Sequence, residues 1–108
     1  MRRLRFPAAS FDGVLALYSM IHVPRRDHLL LLRGFRKALR HHGLLLVVMG
    51  RDDVPHDRDD FFGTPMYWSH FGGERNRELL AEAGFRILWS REVGPIGDRH
   101  LWALARVR

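Results

Sequence analysis

The 108-residue chain contains no cysteine. That excludes a disulfide framework and a thiolate metal site, and it leaves a cytoplasmic location as the default expectation. Lysine is almost absent too, with Lys37 alone beside seventeen arginines. No apolar run approaches the roughly 18 residues that a membrane helix needs. The basic start, Met1 to Arg5, is followed by an apolar stretch in the manner of a signal peptide. However, Pro7 and Asp12 interrupt the approach, and no small-x-small cleavage site follows Ile21. The expectation is a soluble intracellular chain without membrane contact. A nucleophile elbow, a phosphate loop and a Gly-x-Gly-x-x-Gly fingerprint are all missing, as are internal repeats and low-complexity segments.

What is present is a globular composition. The chain is 46% hydrophobic and 28% charged, too apolar for a disordered tail and long enough for one domain over 1–108. The formal charge is +6. A basic chain can bind nucleic acid by releasing counterions from phosphates, which requires arginines gathered on one face. Here they are spread from Arg2 to Arg108, with no basic strand interleaved with aromatics. Arginine in place of lysine reads more simply as a bias of coding composition, so nucleic acid is not an expected partner.

Hydrophobic patterning predicts an α/β chain. Residues 12–20 form a short apolar run of the length of a strand buried on both faces. Pro24 then sits at a favoured first-turn position. Leu29, Leu32, Phe35, Ala38 and Leu39 recur at helical steps, with Arg33, Arg36, Lys37 and Arg40 on the other side. Gly43 is the expected stop of that helix, placing His41 and His42 at its end. Residues 44–49 form a second buried strand. The stretch 51–72 is charged and broken by Pro55, Gly63 and Pro65, so it reads as an irregular loop. A second helix follows over 74–83, ending at Gly84. Strands over 85–93 and 100–107 close the chain, antiparallel across a turn. The expected fold is a partial Rossmann-like sheet of about four strands, the first three parallel and the last antiparallel, with two main helices.

In such sheets ligands gather at the carboxyl ends of the strands. Two segments lie there. One is Tyr18 to Val23; the other is the aromatic stretch Met66, Tyr67, Trp68, Ser69 and His70. They offer apolar walls with a few polar tips, or alternatively a plug for one end of the core. The histidines do not make a metal site by spacing: His22 and His28 are six apart, and His41 and His42 adjoin. The cluster of Asp52, Asp53, His56, Asp57, Asp59 and Asp60 lacks the glycine and terminal glutamate of a calcium loop. It reads as a solvated loop, and no metal is expected.

The order and spacing of several short motifs resemble the class I S-adenosylmethionine-dependent methyltransferases. These are Phe11-Asp12-Gly13-Val14, then Tyr18-Ser19 with His22-Val23-Pro24, then Leu39-Arg40 with Gly43 and its leucines. Met66-Tyr67-Trp68-Ser69-His70-Phe71 and Leu80-x-x-Ala83-Gly84-Phe85 complete the series. The resemblance runs from about Phe6 to the end and is to the second half of that fold, strands four to seven. One departure is the family's Leu-Arg-Pro-Gly-Gly, which here is Leu39-Arg40-His41-His42-Gly43. The glycine-rich loop and the acidic ribose-binding residue of the family would precede Met1.

The resemblance implies S-adenosylmethionine as cofactor, a small-molecule acceptor, and a donor wall built from Tyr18, Ser19 and His22. It places Met66, Tyr67, Trp68 and His70 on the acceptor side. Methyl transfer needs alignment, desolvation and, for hydroxyl or amine acceptors, a nearby base. His22 and His70 are the candidates, and either serves equally as a hydrogen-bonded wall. A chain lacking the donor-gripping half is expected to bind the donor weakly and to be inactive alone. Its first strand would have an unpaired edge and one sheet face would be bare. A second copy, another chain or a missing segment is expected to cover that face. The alternative reading is a non-catalytic α/β module that forms a homo-oligomer through the uncovered sheet.

Overall fold

Six strands and two helices form in the computed structural model, which describes residues 9–18, 20–51, 54–61, 64–94 and 100–108. β1 (Phe11–Ala16) leads into a 3-10 turn at Met20–His22 and another at Arg25–Asp27. Helix α1 (His28–Ala38) follows, then β2 (Leu39–Gly50), β3 (Val54–Phe61) and β4 (Thr64–His70). Helix α2 (Gly73–Glu82) precedes β5 (Phe85–Val93) and β6 (His100–Val107).

The main sheet has the order β1-β2-β6-β5. β1 and β2 are parallel, while β6 is antiparallel to both β2 and β5. The first two strands and the last thus run as the patterning predicts. The third sequence-predicted strand, β5, points the same way as β2 but does not pair with it. β6 returns between them, which satisfies the backbone groups of both strands and leaves β1 and β5 at the edges.

Two expectations are overturned by strand formation. The stretch 51–72 is not an irregular loop: β3 and β4 pair antiparallel in a separate two-stranded sheet, from Val54 opposite His70 to Phe61 opposite Thr64. Each strand of such a ribbon has a free side, so Pro55 and Pro65 fit without breaking a central ladder. The same prolines and the dense charge hide the strands in the sequence. The second correction concerns the end of α1. The helix stops at Ala38, and Leu39 already pairs with Phe11. His41 and His42 therefore lie in β2, not at a helix end. Between the pairs Phe11–Leu39 and Gly13–Leu44 the ladder slips, so that Arg40 to Gly43 stand against Asp12 alone. His42 absorbs the slip with φ of 65°, and a Cβ on Gly43 would stand 2.8 Å from the Arg40 carbonyl oxygen. Glycine is required there by contact.

Both helices pack on one face of the sheet. Leu31, Leu32 and Phe35 of α1 and Leu79, Leu80 and Ala83 beside α2 meet Leu45, Val47, Phe85, Ala103 and Ala105 in one buried cluster. These strand residues alternate, as the two-residue period of a strand requires. Their neighbours point the other way, onto a face with no helix among the described residues. There Leu15 is 72% and Trp89 47% exposed. This face, bare of helices among the described residues, is unevenly exposed, since Val48 on it is fully buried.

Candidate functional site at the carboxyl ends of the first two strands

The segment after β1 and the strand β4, far apart in sequence, come together beyond the ends of β1 and β2. Directly after β1 the chain turns at Tyr18, whose φ of 56° lies in the left-handed region. The turn presents the ring half-exposed and edge-on to His100 at 5.2 Å and Trp102 at 5.9 Å between centroids. Met20 and Val23 then dip into the core, which holds the 3-10 turn and brings His22 to the surface of this end. The turn packs against β4. Ser69 of β4 is buried, and its Oγ accepts the Arg25 backbone N–H at 2.8 Å.

Three further polar fasteners, none singled out by sequence patterning, hold this end together. His28 is buried at the start of α1, and its Nε2 donates to the Val23 carbonyl at 2.8 Å. Its ring meets Phe71 edge-on at 6.2 Å. Asn76 of α2 is fully buried, and its Nδ2 donates to the Gly50 carbonyl at 2.8 Å and to the Phe71 carbonyl at 2.9 Å. It joins the end of β2 to the segment following β4. The Arg51 carbonyl accepts the Gly73 N–H at 2.8 Å, closing the same junction from the helix side. Phe71 is the hub: the Arg25 guanidinium stands 4.7 Å and the Arg75 guanidinium 5.9 Å from its ring centroid. Hydrogen bonds to Glu82 and then Glu78 raise the Arg75 pKa above its ordinary value. A lone histidine in a mixed helix start and a lone asparagine in a polar helix carry no periodic signal. Only their burial reveals them.

The predicted residues divide as follows. Tyr18 and His22 are brought to this end, on the same side of the sheet terminus as β4. Ser19 lies outside the described residues. Met66, Tyr67, Trp68 and His70 lie on β4, opposite Asp59, Arg58, Asp57 and Val54 in the ladder. Their side chains lie outside the described residues, as do those of the acidic cluster. Among the described residues no group of three potential metal ligands comes together. A cleft of about 510 Å³ opens beside the junction, between Arg51, Gly73, Arg77 and Glu92. Arg51 stands 3.1 Å from Glu92 there, and Arg77 Nε donates to Ser90 Oγ at 3.1 Å.

Two buried polar atoms at this end have no partner among the described residues: Asn76 Oδ1 and Trp102 Nε1. Buried polar atoms are ordinarily paired, so unspent capacity of this kind fits a ligand or water at the strand ends. The fit to a methyl donor is to one wall only. The described residues offer an aromatic ring, a histidine and apolar sides, but no run of backbone N–H groups on a glycine-rich turn.

No family model matches the chain, and no curated protein matches it. Solved structures do. An S-adenosylmethionine-dependent methyltransferase of Methanosarcina mazei superposes with a TM-score of 0.78 at 19% identity, over 98% of this chain and 63% of its own. The 1,6-didemethyltoxoflavin-N1-methyltransferase of Burkholderia thailandensis, solved with 1,6-didemethyltoxoflavin and S-adenosylhomocysteine, gives 0.75 at 24% identity, over 98% and 47%. The fold is that of part of an S-adenosylmethionine-dependent methyltransferase. The chain spans between about half and two thirds of these relatives, as its likeness to a C-terminal half implies. The same fold also belongs to the 4+2 cyclase SpnF, with a TM-score of 0.74 at 18% identity over 98% of this chain and 53% of its own. Sharing the fold therefore does not by itself assign a reaction.

Proposed function

We propose that the chain forms the transfer-side half of an S-adenosylmethionine-dependent methyltransferase acting on a small molecule, and that it is inactive without a segment that grips the donor. The observation that carries this reading is the junction of the Tyr18–His22 segment with β4 at the carboxyl ends of β1 and β2. It sits in a sheet shared with methyltransferases. The donor, when bound, supplies an electrophilic methyl group on a sulfonium. This chain's residues would align and dry the reaction. Tyr18, Ser19 and His22 would line the donor, and Met66, Tyr67, Trp68 and His70 the acceptor. His22 or His70 would take the acceptor's proton where the acceptor is a hydroxyl or amine. Holding the two reactants in line without water is the larger part of the task.

The test is transfer of a labelled methyl group to a panel of small hydroxyl, amine and carboxylate acceptors. It compares this chain with a chain extended by the coding sequence in frame upstream of Met1. The reading predicts transfer only from the extended chain, reduced by His22→Ala or His70→Ala. Transfer by the 108 residues alone, or none by an extended chain that binds the donor, contradicts it. The bare face favours one second reading, a non-catalytic module that associates through its sheet. Any methyl transfer dependent on this chain removes that reading.

A further inference from the structure

Bases that the sequence scatters are gathered by the fold at the end of the sheet opposite the candidate site. Helix α1 closes there with Arg36 and Lys37, β5 opens with Phe85 and Arg86, and β6 finishes with Arg106 and Val107. The Arg36 side chain lies against Gly84, where a Cβ would stand 2.6 Å from its Nε. The Arg108 N–H donates to the Gly84 carbonyl at 3.0 Å, which fastens the end of β6 to the same point. Arg86 and Arg106 are exposed and are direct cross-strand partners. Like charges so placed repel, and an anion across them relieves the repulsion. Among the described residues none of Arg36, Lys37, Arg86 and Arg106 has an ion-pair partner. The carboxylates described at this end are engaged elsewhere, Asp12 by Arg40 and Glu82 by Arg75. Arg108 brings a guanidinium and, in this chain, a terminal carboxylate, so it adds no net charge. Asp27, Glu74 and Glu92 stand at the other end of the sheet, and Asp57, Asp59 and Asp60 on the ribbon joined to it. A bias of coding composition sets how many arginines there are, but not this separation of sign. Among the described residues Phe11 is the one large apolar side chain exposed at the basic end. That end therefore lacks the apolar stripe that sinks into a membrane, the apolar centre of a protein interface and the row of rings on which single-stranded bases stack. It offers point contacts to phosphate, for which the planar fork of arginine is suited.

We propose that this basic end binds the sugar-phosphate backbone of a nucleic-acid duplex through Arg36, Lys37, Arg86 and Arg106, without reading its sequence. Arg86 and Arg106 lie on β5 and β6, across the sheet from β1, so strands added at the β1 edge leave the corner open. The proposal stands apart from the methyl-transfer reading, because it uses none of the residues at the carboxyl ends of β1 and β2.

The experiment titrates this chain into a fluorescein-labelled DNA duplex of about 20 base pairs and reads anisotropy from about 50 to about 200 mM salt. Four phosphate contacts predict a loss of about 150-fold in affinity over that range, a logarithmic slope of about −3.6. A duplex of unrelated sequence is expected to bind within about threefold of the first. Arg86→Gln/Arg106→Gln also removes the repulsion between the two side chains, so the variant keeps the fold. It is expected to bind at least about tenfold more weakly at the low salt and to flatten the slope by about 1.8. Arg26→Gln/Arg91→Gln removes the same charge from exposed positions toward the other end of the sheet. That variant is expected to keep the slope and to stay within about threefold, since salt screens distant charges. No binding at the low salt, a slope shallower than about −2, or equal weakening by the two pairs overturns the proposal. So does tighter binding to phosphatidylserine vesicles or to polyglutamate than to the duplex. Tighter binding of single-stranded oligothymidylate overturns it too, since rings and not phosphates would then be engaged.

Discussion

At the residue scale, the glycines and Asn76 separate what contact dictates from what composition allows. Gly43 and Gly13 lie on the same slipped ladder but in different surroundings. A Cβ on Gly43 would come within 3.0 Å of Leu39 Cβ as well as 2.8 Å of the Arg40 oxygen, whereas one on Gly13 would meet the Leu44 oxygen at an ordinary 3.7 Å. Gly43→Ala should cost about 1–3 kcal/mol in urea unfolding, because the backbone there cannot yield cheaply. Gly13→Ala should stay within about 0.5 kcal/mol. Equal effects would show that the slip at His42 is not a fixed feature. Asn76→Ala removes both donors from the buried Gly50 and Phe71 carbonyls and should cost about 1–3 kcal/mol per unmatched group. A loss below about 0.5 kcal/mol would mean those carbonyls find other partners. The sequence exposed the glycine at Leu39-Arg40-His41-His42-Gly43 through its likeness to a family motif. It did not expose Asn76 or His28, whose importance comes from burial.

At the scale of elements, patterning succeeded where periodicity was undisturbed. α2, β5 and β6 begin and end within a residue or so of the spans read from apolar spacing and the glycine at 84, whose φ of 96° suits no other residue as well. It failed in β3 and β4, where Pro55, Pro65 and dense charge interrupt the apolar pattern. It also failed at α1, where the basic residues 33–40 continue past the last helical turn into β2. Strand order was not legible, since insertion of β6 between β2 and β5 is a long-range pairing. One consequence can be measured. The ribbon is tied to the body through Ser69 Oγ and the Arg25 N–H. Ser69→Ala should therefore raise hydrogen exchange across β3 and β4 while leaving β6, paired on both sides, unchanged. Equal acceleration in β6 would mean that Ser69 supports the whole fold and not this junction.

At the scale of the whole molecule, the two faces of the sheet differ in what they contribute to folding. Leu45 is fully buried on the helix-covered face, and its replacement by alanine should cost about 2–5 kcal/mol. Leu15 on the bare face should cost under about 0.5 kcal/mol in the isolated chain, because it has little burial to lose. Urea unfolding of the pair decides this, and similar losses would mean the face is covered in solution. Tyr18 and His22 reach the strand ends, yet the donor would meet only one wall. The sequence conveyed the sheet through two apolar strand runs. The acceptor side was less legible, because its position depends on the ribbon. The account is tested most directly by calorimetric titration of S-adenosylmethionine into the 108-residue chain. It predicts no saturable binding, or binding weaker than about 1 mM, a free energy near 4 kcal/mol. Saturation at micromolar donor would contradict it, since the residues present would then suffice to hold the donor.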